Sequence, residues 1–419
     1  MGAIMTRSEF LSAARKGQGR AISSLRDGEF TPSFHDLRRL ILRWPGIDAR
    51  CEAGRGWYSA ELIKGSEFEE QLKNLVVRHL ARVKGDRRHQ NHRIAVVHEL
   101  AKRGHLAAKE AFYAQYDPSD EFRFSDEIID VDGLAGLDWL ITHSEGFVLP
   151  EVSLRFRGWI KDLEEACGKE MIASWLASES SPRPEIAEFR RLLDFRPEPK
   201  EKGDKPPVAT IPFETLRDQW LGHVEGRMWV RPWVRTASDE DIKKAWVALE
   251  NDVDPQWLNH LAIELSGKPE HCNIERMVQR AQTWTGEFNP FAMALDRCSD
   301  PRVRQLGFDL MNSGSIRDGI DLLVRHAQSG DEPMILAAVS KITENNELQS
   351  ASLAILRFGD NLETRNLLIW VCENSSCSMC RASAVYELIK KGTLPESVRQ
   401  ECRLDCTPAI RKLTEMELD

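Results

Sequence analysis

The sequence lacks any long apolar run, and this absence excludes a helix that crosses a membrane. A spanning helix needs roughly 20 consecutive apolar residues, and no stretch of the chain reaches that length. The first ten residues, MGAIMTRSEF, also lack the basic and then long apolar regions of a secretion signal. We therefore expect a protein that neither enters a membrane nor is exported.

An excess of positive charge is missing as well. The chain carries 57 basic and 66 acidic residues, for a formal net charge of −9. Nucleic acids and anionic membranes attract proteins that have a positive net potential or a strong basic patch. The net charge therefore disfavours nucleic acid as a partner and leaves open only a local basic patch.

Cysteines are few and odd in number. There are nine in 419 residues, at irregular spacings. Disulfide frameworks are typical of short secreted chains with an even number of regularly spaced cysteines. We therefore expect reduced thiols and a cytoplasmic location.

Strand-like alternation of apolar and polar residues is scarce. The best candidate strand, EFRFSDEIIDVDG (121–133), is short. Helical periodicity dominates instead: in RIAVVHELAKRG (93–104), Ile94, Val97 and Ala101 recur at the spacing of one helix face. Gly104 then stands where a left-handed residue would end the helix. We predict an all-α fold.

One helical unit occurs three times along the chain. The copies are residues 95–112, 305–322 and 383–400. In each copy an apolar helix ends at a glycine and a polar helix follows within about three residues, the glycines being Gly104, Gly314 and Gly392. One column of the alignment holds a leucine in every copy: Leu100, Leu310 and Leu388. Hairpins that cannot bury their own apolar faces are stabilised by stacking on neighbours, as in a solenoid.

Two segments resemble HEAT-type repeats. In SDPRVRQLGFDLM (299–311), the turn holds Asp300 and Pro301, Val303 faces inward, and Arg304 takes the place of the repeat's arginine. CTPAIRKLTEM (406–416) repeats the pattern with Pro408, Ile410 and Arg411. The chain thus resembles armadillo-like HEAT-repeat proteins of bacteria that have no assigned role, most clearly over 90–115 and 240–416. The resemblance implies a HEAT-like α-solenoid of stacked antiparallel helix hairpins.

A proline-rich stretch interrupts the helical pattern. RPEPKEKGDKPPVATIP (196–212) contains five prolines and a mixed charge run, and no helix survives that density of proline. We therefore predict two segments. Residues 1–195 would form an N-terminal helical repeat segment, 196–212 a linker or extended crossing, and 213–419 a C-terminal HEAT-like segment.

The C-terminal cysteines suggest a metal site, a redox pair or simple packing. Cys377 and Cys380 form a C-x-x-C pair, and Cys402 and Cys406 follow after another helix. At about 1.5 Å of rise per residue the returning helix would bring the two pairs close, and tetrahedral thiolate zinc would suit such a cluster. The first pair does not lie on a tight knuckle, and cysteine often fills helix contacts as a small apolar side chain. Packing is therefore favoured, structural zinc is the alternative, and no other cofactor is expected.

The most unusual segment is GRMWVRPWVRT (226–236). It interleaves arginine and tryptophan, the combination typical of binding hot spots and of surfaces on which single-stranded bases stack. The alternative interpretation is that the tryptophans fill a junction between two helical stacks while the arginines face water. The candidate binding residues are Arg227, Trp229, Arg231, Trp233 and Arg235.

The chain shows no assembled acid–base pair, activated nucleophile or phosphate-binding loop, which argues against an enzyme. We predict a non-catalytic interaction scaffold or adaptor that binds a protein or peptide partner on the concave face of the solenoid. The alternative is a nucleic-acid-binding protein, or an enzyme similar to the HEAT-like DNA glycosylases, that uses the Arg/Trp segment as a groove. It would also use the basic run KGDRRHQNHR (84–93), otherwise expected to be a solvated helix start, and its affinity would fall steeply with salt.

Overall fold

The fold is all-α, as predicted. The computed structural model describes residues 5–43, 54–80, 87–116, 124–143, 152–178, 211–222, 230–252, 254–286, 288–358 and 362–415. These residues form α-helices and one 3-10 turn, and none of them lies in a β-strand. The chain divides into two compact units: unit 1 is residues 1–202 with 404–408, and unit 2 is residues 203–403 with 409–419.

Unit 1 is built around one long central helix. Its helices are α1 (Arg7–Lys16), α2 (Gly19–Arg26), α3 (Phe34–Leu42), α4 (Arg55–Lys64), α5 (Glu69–Leu80), α6 (Arg87–Lys102), α7 (Leu106–Gln115), α8 (Ser125–Asp132), α9 (Leu134–His143), α10 (Val152–Cys167) and α11 (Lys169–Ser178). The central helix α6 contacts α3, α4, α5, α7 and α8. Its buried Val96, Val97 and Leu100 belong to one continuous apolar core.

Unit 2 contains the remaining helices. They are α12 (Phe213–Gly222), α13 (Val230–Thr236), α14 (Asp239–Asn251), α15 (Pro255–Leu265), α16 (Ile274–Thr283), α17 (Pro290–Ala294), α18 (Pro301–Asn312), α19 (Ile316–His326), α20 (Glu332–Val339), α21 (Asn345–Ile355), α22 (Arg365–Asn374), α23 (Ser378–Lys390), α24 (Glu396–Cys402) and α25 (Pro408–Glu415). In the described parts of both units, no helix is long and apolar enough to cross a lipid bilayer.

The helices of unit 2 pack in a regular alternating order. Several helices contact the next one in the chain as a hairpin, as α14 with α15, α16 with α17, and α18 with α19. They also contact the next but one: α13, α15, α17, α19, α21 and α23 form one row of neighbours, and α12, α14, α16 and α18 form another. Two rows of helices therefore lie side by side.

The predicted repeat appears as a recurring helix end. Gly104, Gly314 and Gly392 all have positive φ, at 86°, 99° and 64°. In each copy the residue after the glycine donates its backbone N–H to the carbonyl of the column leucine: His105 to Leu100 at 3.0 Å, Ser315 to Leu310 at 2.9 Å, and Thr393 to Leu388 at 2.9 Å. This hydrogen bond closes a helix whose last turn is followed by a left-handed glycine.

The segment with the clearest HEAT pattern folds as its residues predict. Asp300 caps α18, because its carboxylate accepts the backbone N–H of Arg302 at 2.9 Å, and Pro301 occupies the first helical position. Val303 is fully buried. The guanidinium of Arg304 makes two hydrogen bonds to the carboxylate of Asp331, one of them at 2.9 Å. Val303 thus packs in the core, and Arg304 links α18 to the start of α20 through its ion pair with Asp331.

The candidate strand was wrong. Within 121–133 the described residues form α8, which begins at Ser125 after Phe124 in the left-handed conformation, with φ 69°. Asp126 and Glu127 stand in the first turn, where the helix dipole favours acidic side chains. Ile128 and Ile129 are both buried, which strand alternation would not allow on a one-sided sheet.

The proline-rich stretch 196–212 lies outside the described residues, apart from Ile211 and Pro212. Its role as a linker, and the boundaries drawn from it, stay predictions. The two compact units divide between residues 202 and 203, and residues 404–408 return to unit 1. No sequence pattern predicted this return.

Two glycines, Gly17 and Gly54, pack closely against Cys406 in the returning segment 404–408. The backbone N–H of Cys406 donates to the carbonyl of Gly17 at 2.9 Å. A Cβ on Gly17 would lie 2.4 Å from the Cys406 Sγ, and a Cβ on Gly54 would lie 2.0 Å from the Cys406 carbonyl oxygen. Both glycines also have positive φ, so the close approach and the backbone conformation both require glycine. Residues from both ends of the sequence therefore build unit 1.

Candidate functional site

Two adjoining cavities on unit 2 form the strongest candidate site. Their volumes are about 210 and 250 Å³, and Ile263 and Ser266, at the end of α15, line both. We call the pair the charged cleft. Its acidic lobe is lined by Asp296, Asp318, Asp321 and Arg357, and its basic lobe by Arg231, Arg235, Lys268, Arg297 and Glu264.

Helix α19 supplies two carboxylates of the acidic lobe. Asp318 and Asp321 are three residues apart, so they lie on the same face of the helix. The Asp321 carboxylate lies 3.1 Å from Nη1 of Arg357 and 4.0 Å from Nε of Arg317. Asp296, just after α17, accepts from Nε of Arg325 at 3.1 Å. Two of the three carboxylates thus have arginine partners.

Asp318 is the least compensated of these acids. Burial raises the pKa of its carboxyl to about 6, although Arg317 and a hydrogen bond from the backbone N–H of Asn289 oppose the rise. Burial also raises the pKa of Asp321, against the opposing effect of Arg357. A carboxylate that is ionised at neutral pH despite burial gains from an added cation. The lobe is therefore suited to an ammonium or guanidinium group.

The wall of the acidic lobe is apolar. Ala292 and Met293 of α17 and Leu322 of α19 line it, together with Ile263. Ile263 is 48% exposed although it is a large aliphatic side chain. It lies on α15, the helix that forms the rim of both lobes. The aliphatic stem of a lysine or arginine would find contacts here while its charged end meets the carboxylates.

The basic lobe has the opposite sign. Arg231 and Arg235 are both exposed and stand one turn apart on α13, so they share a face. Lys268 and Arg297 complete the lobe, and Glu264 is the one acid among the described residues that line it. Four cations around one carboxylate favour an anionic group as ligand.

The predicted Arg/Trp surface is only partly realised. Arg231 and Arg235 lie in the basic lobe, whereas Trp233 is 1% exposed. Its indole Nε1–H donates to the carbonyl of Ile211 at 2.8 Å, and its ring packs 5.7 Å from that of Phe213. Trp233 is therefore a core residue and does not belong to a binding surface. The other two predicted members, Arg227 and Trp229, lie outside the described residues.

The C-terminal cysteines are all buried. Cys377 precedes α23, Cys380 lies in its first turn and Cys402 ends α24, all in unit 2, whereas Cys406 belongs to the core of unit 1. Among the described residues no group of three or more histidine, cysteine or acidic side chains could hold a metal ion. The arrangement of the four described cysteines therefore gives no support to structural zinc, which was the alternative to packing.

The described part of the basic run 84–93 begins at Arg87, which is the first residue of α6. The expectation of a solvated helix start fails at His92, which is buried and whose Nε2 lies 3.2 Å from the carbonyl oxygen of Leu40. Burial lowers the pKa of this imidazole to about 4, so the ring is neutral at pH 7. His89 and Arg93 line a cavity of unit 1.

Sequence reasoning missed the acidic lobe entirely. Its members were not singled out because the lobe combines two acids of α19 with Asp296 and Arg357, which lie in other parts of the sequence. One local signal was present: in IRDGIDLLVRH, Asp318 and Asp321 recur at helical spacing on the same side as inward-facing Leu322. An acid pair at the edge of an apolar stripe is unusual enough to mark a site.

Comparison with known proteins adds no relative: no family model, no curated protein and no solved structure matches the chain. The likeness to HEAT repeats therefore rests on the motifs quoted from the sequence.

Proposed function

We propose that this protein is a non-catalytic interaction scaffold or adaptor, and that unit 2 binds an extended peptide segment of a partner protein in the charged cleft. The observation that carries this proposal is the opposite sign of the two lobes, which share Ile263 and Ser266. Of the charged side chains that line the cleft, three of the four carboxylates lie in one lobe and four of the five cations lie in the other.

The packing of unit 2 supports a HEAT-like solenoid as the scaffold. Helix hairpins that stack in two rows are what such a repeat array requires. The cleft draws its residues from one row only, from α13, α15, α17 and α19 with the turns that follow them, and from Arg357 just after α21. In a solenoid of this kind, one row lines the concave face on which partners bind.

The chemistry of the peptide follows from the lobes. A lysine or arginine would meet Asp318 and Asp321, and an aspartate or glutamate nearby in the peptide would meet Arg231 and Arg235. Charge-assisted hydrogen bonds are about twice as strong as neutral ones, and the complementary potential would favour association and fix the direction of the peptide. A protein partner and a cytoplasmic location, both expected from the sequence, belong to this proposal.

The test is selection from a displayed library of random 12-residue peptides against the full-length protein. We expect enriched peptides to carry a basic and an acidic residue a few positions apart. Their affinity, measured by fluorescence polarisation, should fall at least tenfold for Asp318→Asn combined with Asp321→Asn. It should also fall at least tenfold for Arg231→Gln combined with Arg235→Gln.

The matched control is Asp218→Asn, an exposed carboxylate on α12 that does not line the cleft. It should bind the selected peptides as the unaltered protein does. Enrichment of no charged pattern, or affinities unchanged by both double variants, would refute the proposal. Binding of single-stranded DNA through Arg231 and Arg235, in place of the peptides, would favour the nucleic-acid alternative instead.

A further inference from the structure

A second cavity, in unit 1, is lined almost entirely by cationic and imidazole side chains. Its volume is about 530 Å³, and it lies among α3, α5 and α6. The residues that give it its character are Arg38, Arg39, Arg43, Arg93, His79 and His89, and His35 also lines it. None of the described lining residues is acidic. We call it the arginine cavity.

The arginines that α3 and its C-terminal end contribute to the arginine cavity have no acidic partner among the described residues. Arg38, Arg39 and Arg43 are exposed, and none of them forms an ion pair within the described part of the chain. The acid of α3, Asp36, is occupied elsewhere, since its carboxylate accepts from Nη2 of Arg7 at 2.6 Å and from Nε of Arg7 at 3.0 Å. The same carboxylate accepts the hydroxyl of Ser33 at 2.9 Å.

The acids of α5 are likewise engaged. Glu69 and Glu70 pair with Lys73 on their own helix, at 2.6 and 2.8 Å. On α6, the Nε–H of Arg93 donates to the carbonyl of His89 at 3.1 Å, which fixes this guanidinium against its helix. Four guanidinium groups therefore share one cavity, and a bound anion would reduce their mutual repulsion.

We propose that the arginine cavity binds a small ligand through a di- or triphosphate group. The guanidinium fork matches phosphate oxygens in pairs, and several arginines together match an anion of several charges. Imidazole N–H groups supply further donors. The volume lies within the range of about 300–1,000 Å³ for small-molecule sites. The cationic groups lie within one cavity, which suits a compact ligand that carries several negative charges.

The test is calorimetric titration of the full-length protein with inorganic triphosphate at 20 and 150 mM salt. We expect saturable binding of one triphosphate, weaker at the higher salt because the contacts are ionic. Arg38→Gln combined with Arg39→Gln should weaken the binding at least tenfold. Both side chains are exposed, so the double variant should retain the helical circular dichroism of the unaltered protein.

The matched control is Arg78→Gln, an exposed arginine on α5 that does not line the cavity; it should bind triphosphate normally. Equal affinity for a nucleoside triphosphate would show that only the phosphates are recognised, and tighter binding would show added contacts to the nucleoside; both outcomes support the proposal. No binding at 20 mM salt, unchanged affinity of the double variant, or binding of single-stranded DNA without binding of triphosphate would overturn it.

Discussion

Replacing Asp318 by asparagine should stabilise unit 2 while removing peptide binding. Asp318→Asn keeps the size of the side chain and an oxygen that can accept the backbone N–H of Asn289, and it removes the charge. If the carboxylate is held in the acidic lobe for a ligand, it destabilises the free protein. Sites of this kind commonly combine function with a loss of stability.

The magnitude follows from the pKa of the carboxyl group. Burial raises the pKa of Asp318 from its ordinary 3.8 to about 6, and one pKa unit corresponds to about 1.4 kcal/mol. The ionised group therefore destabilises the native state at pH 7.5 by about 3 kcal/mol at most. Since the asparagine amide is itself polar and partly buried, we expect Asp318→Asn to raise the free energy of unfolding by about 1–3 kcal/mol.

The stabilisation by Asp318→Asn should depend on pH in a definite direction. The native state binds the proton of Asp318 more tightly than the unfolded state does, so the destabilisation is complete above pH 6 and disappears as the pH falls towards 3.8. Urea unfolding, followed by circular dichroism at pH 7.5, 6 and 4.5, should therefore show the stabilisation by Asp318→Asn shrinking as the pH is lowered. Carboxylates far from Asp318 contribute equally to both proteins and cancel in the difference, whereas Asp321, whose charge raises the pKa of Asp318, is coupled to it.

The control for this comparison is again Asp218→Asn, which should change the free energy of unfolding by less than about 0.5 kcal/mol, as is usual for an exposed site. An Asp318→Asn variant that is less stable than the unaltered protein at pH 7.5 would refute the reasoning, since it would mean that the carboxylate is compensated within the fold. A stabilisation that does not change with pH would refute it too.

Three further substitutions test the packing at Trp233 and Gly54 and the protonation of a buried histidine. Trp233→Ala should lower the free energy of unfolding of unit 2 by about 3–5 kcal/mol, because it removes a buried indole and its hydrogen bond to Ile211; urea unfolding measures this loss. Gly54→Ala should lower the melting temperature of unit 1, because its Cβ would lie 2.0 Å from the Cys406 carbonyl oxygen at a φ of 107°. Between pH 6.5 and 4, His92 alone should contribute a loss of about 3 kcal/mol of stability, because unfolded chains bind its proton near pH 6.5 whereas its native pKa is about 4. In parallel urea titrations over this range, His92→Gln should therefore lose about 3 kcal/mol less than the unaltered protein, and equal losses would contradict this.

Local patterns predicted the helices and their ends well. The glycines that close α6, α18 and α23 were identified from apolar spacing alone, because a left-handed helix end requires a residue without a Cβ. The same periodicity could have placed Trp233 correctly. Arg231 and Arg235 are four residues apart and share the exposed face, whereas Trp233 lies between them and so on the opposite, buried side.

The sites could not be predicted in this way, because each is assembled by packing between helices distant in sequence. The charged cleft brings together residues of α13, α15, α17 and α19 with Arg357, which follows α21. The return of Cys406 to Gly17 and Gly54 depends on two glycines near the start of the sequence, and nothing near Cys406 indicates it. A short stretch of sequence indicates whether a helix forms, but it does not indicate which other helices that helix packs against.

The net charge shows how a sum over the chain can mislead about a site. A formal charge of −9 argues against polyanions in general, yet at physiological ionic strength electrostatic interactions decay over about 8 Å. A ligand inside the arginine cavity is therefore governed by Arg38, Arg39, Arg43 and Arg93, and the distant acids hardly weaken its binding. The net charge therefore does not argue against a small phosphorylated ligand at this position.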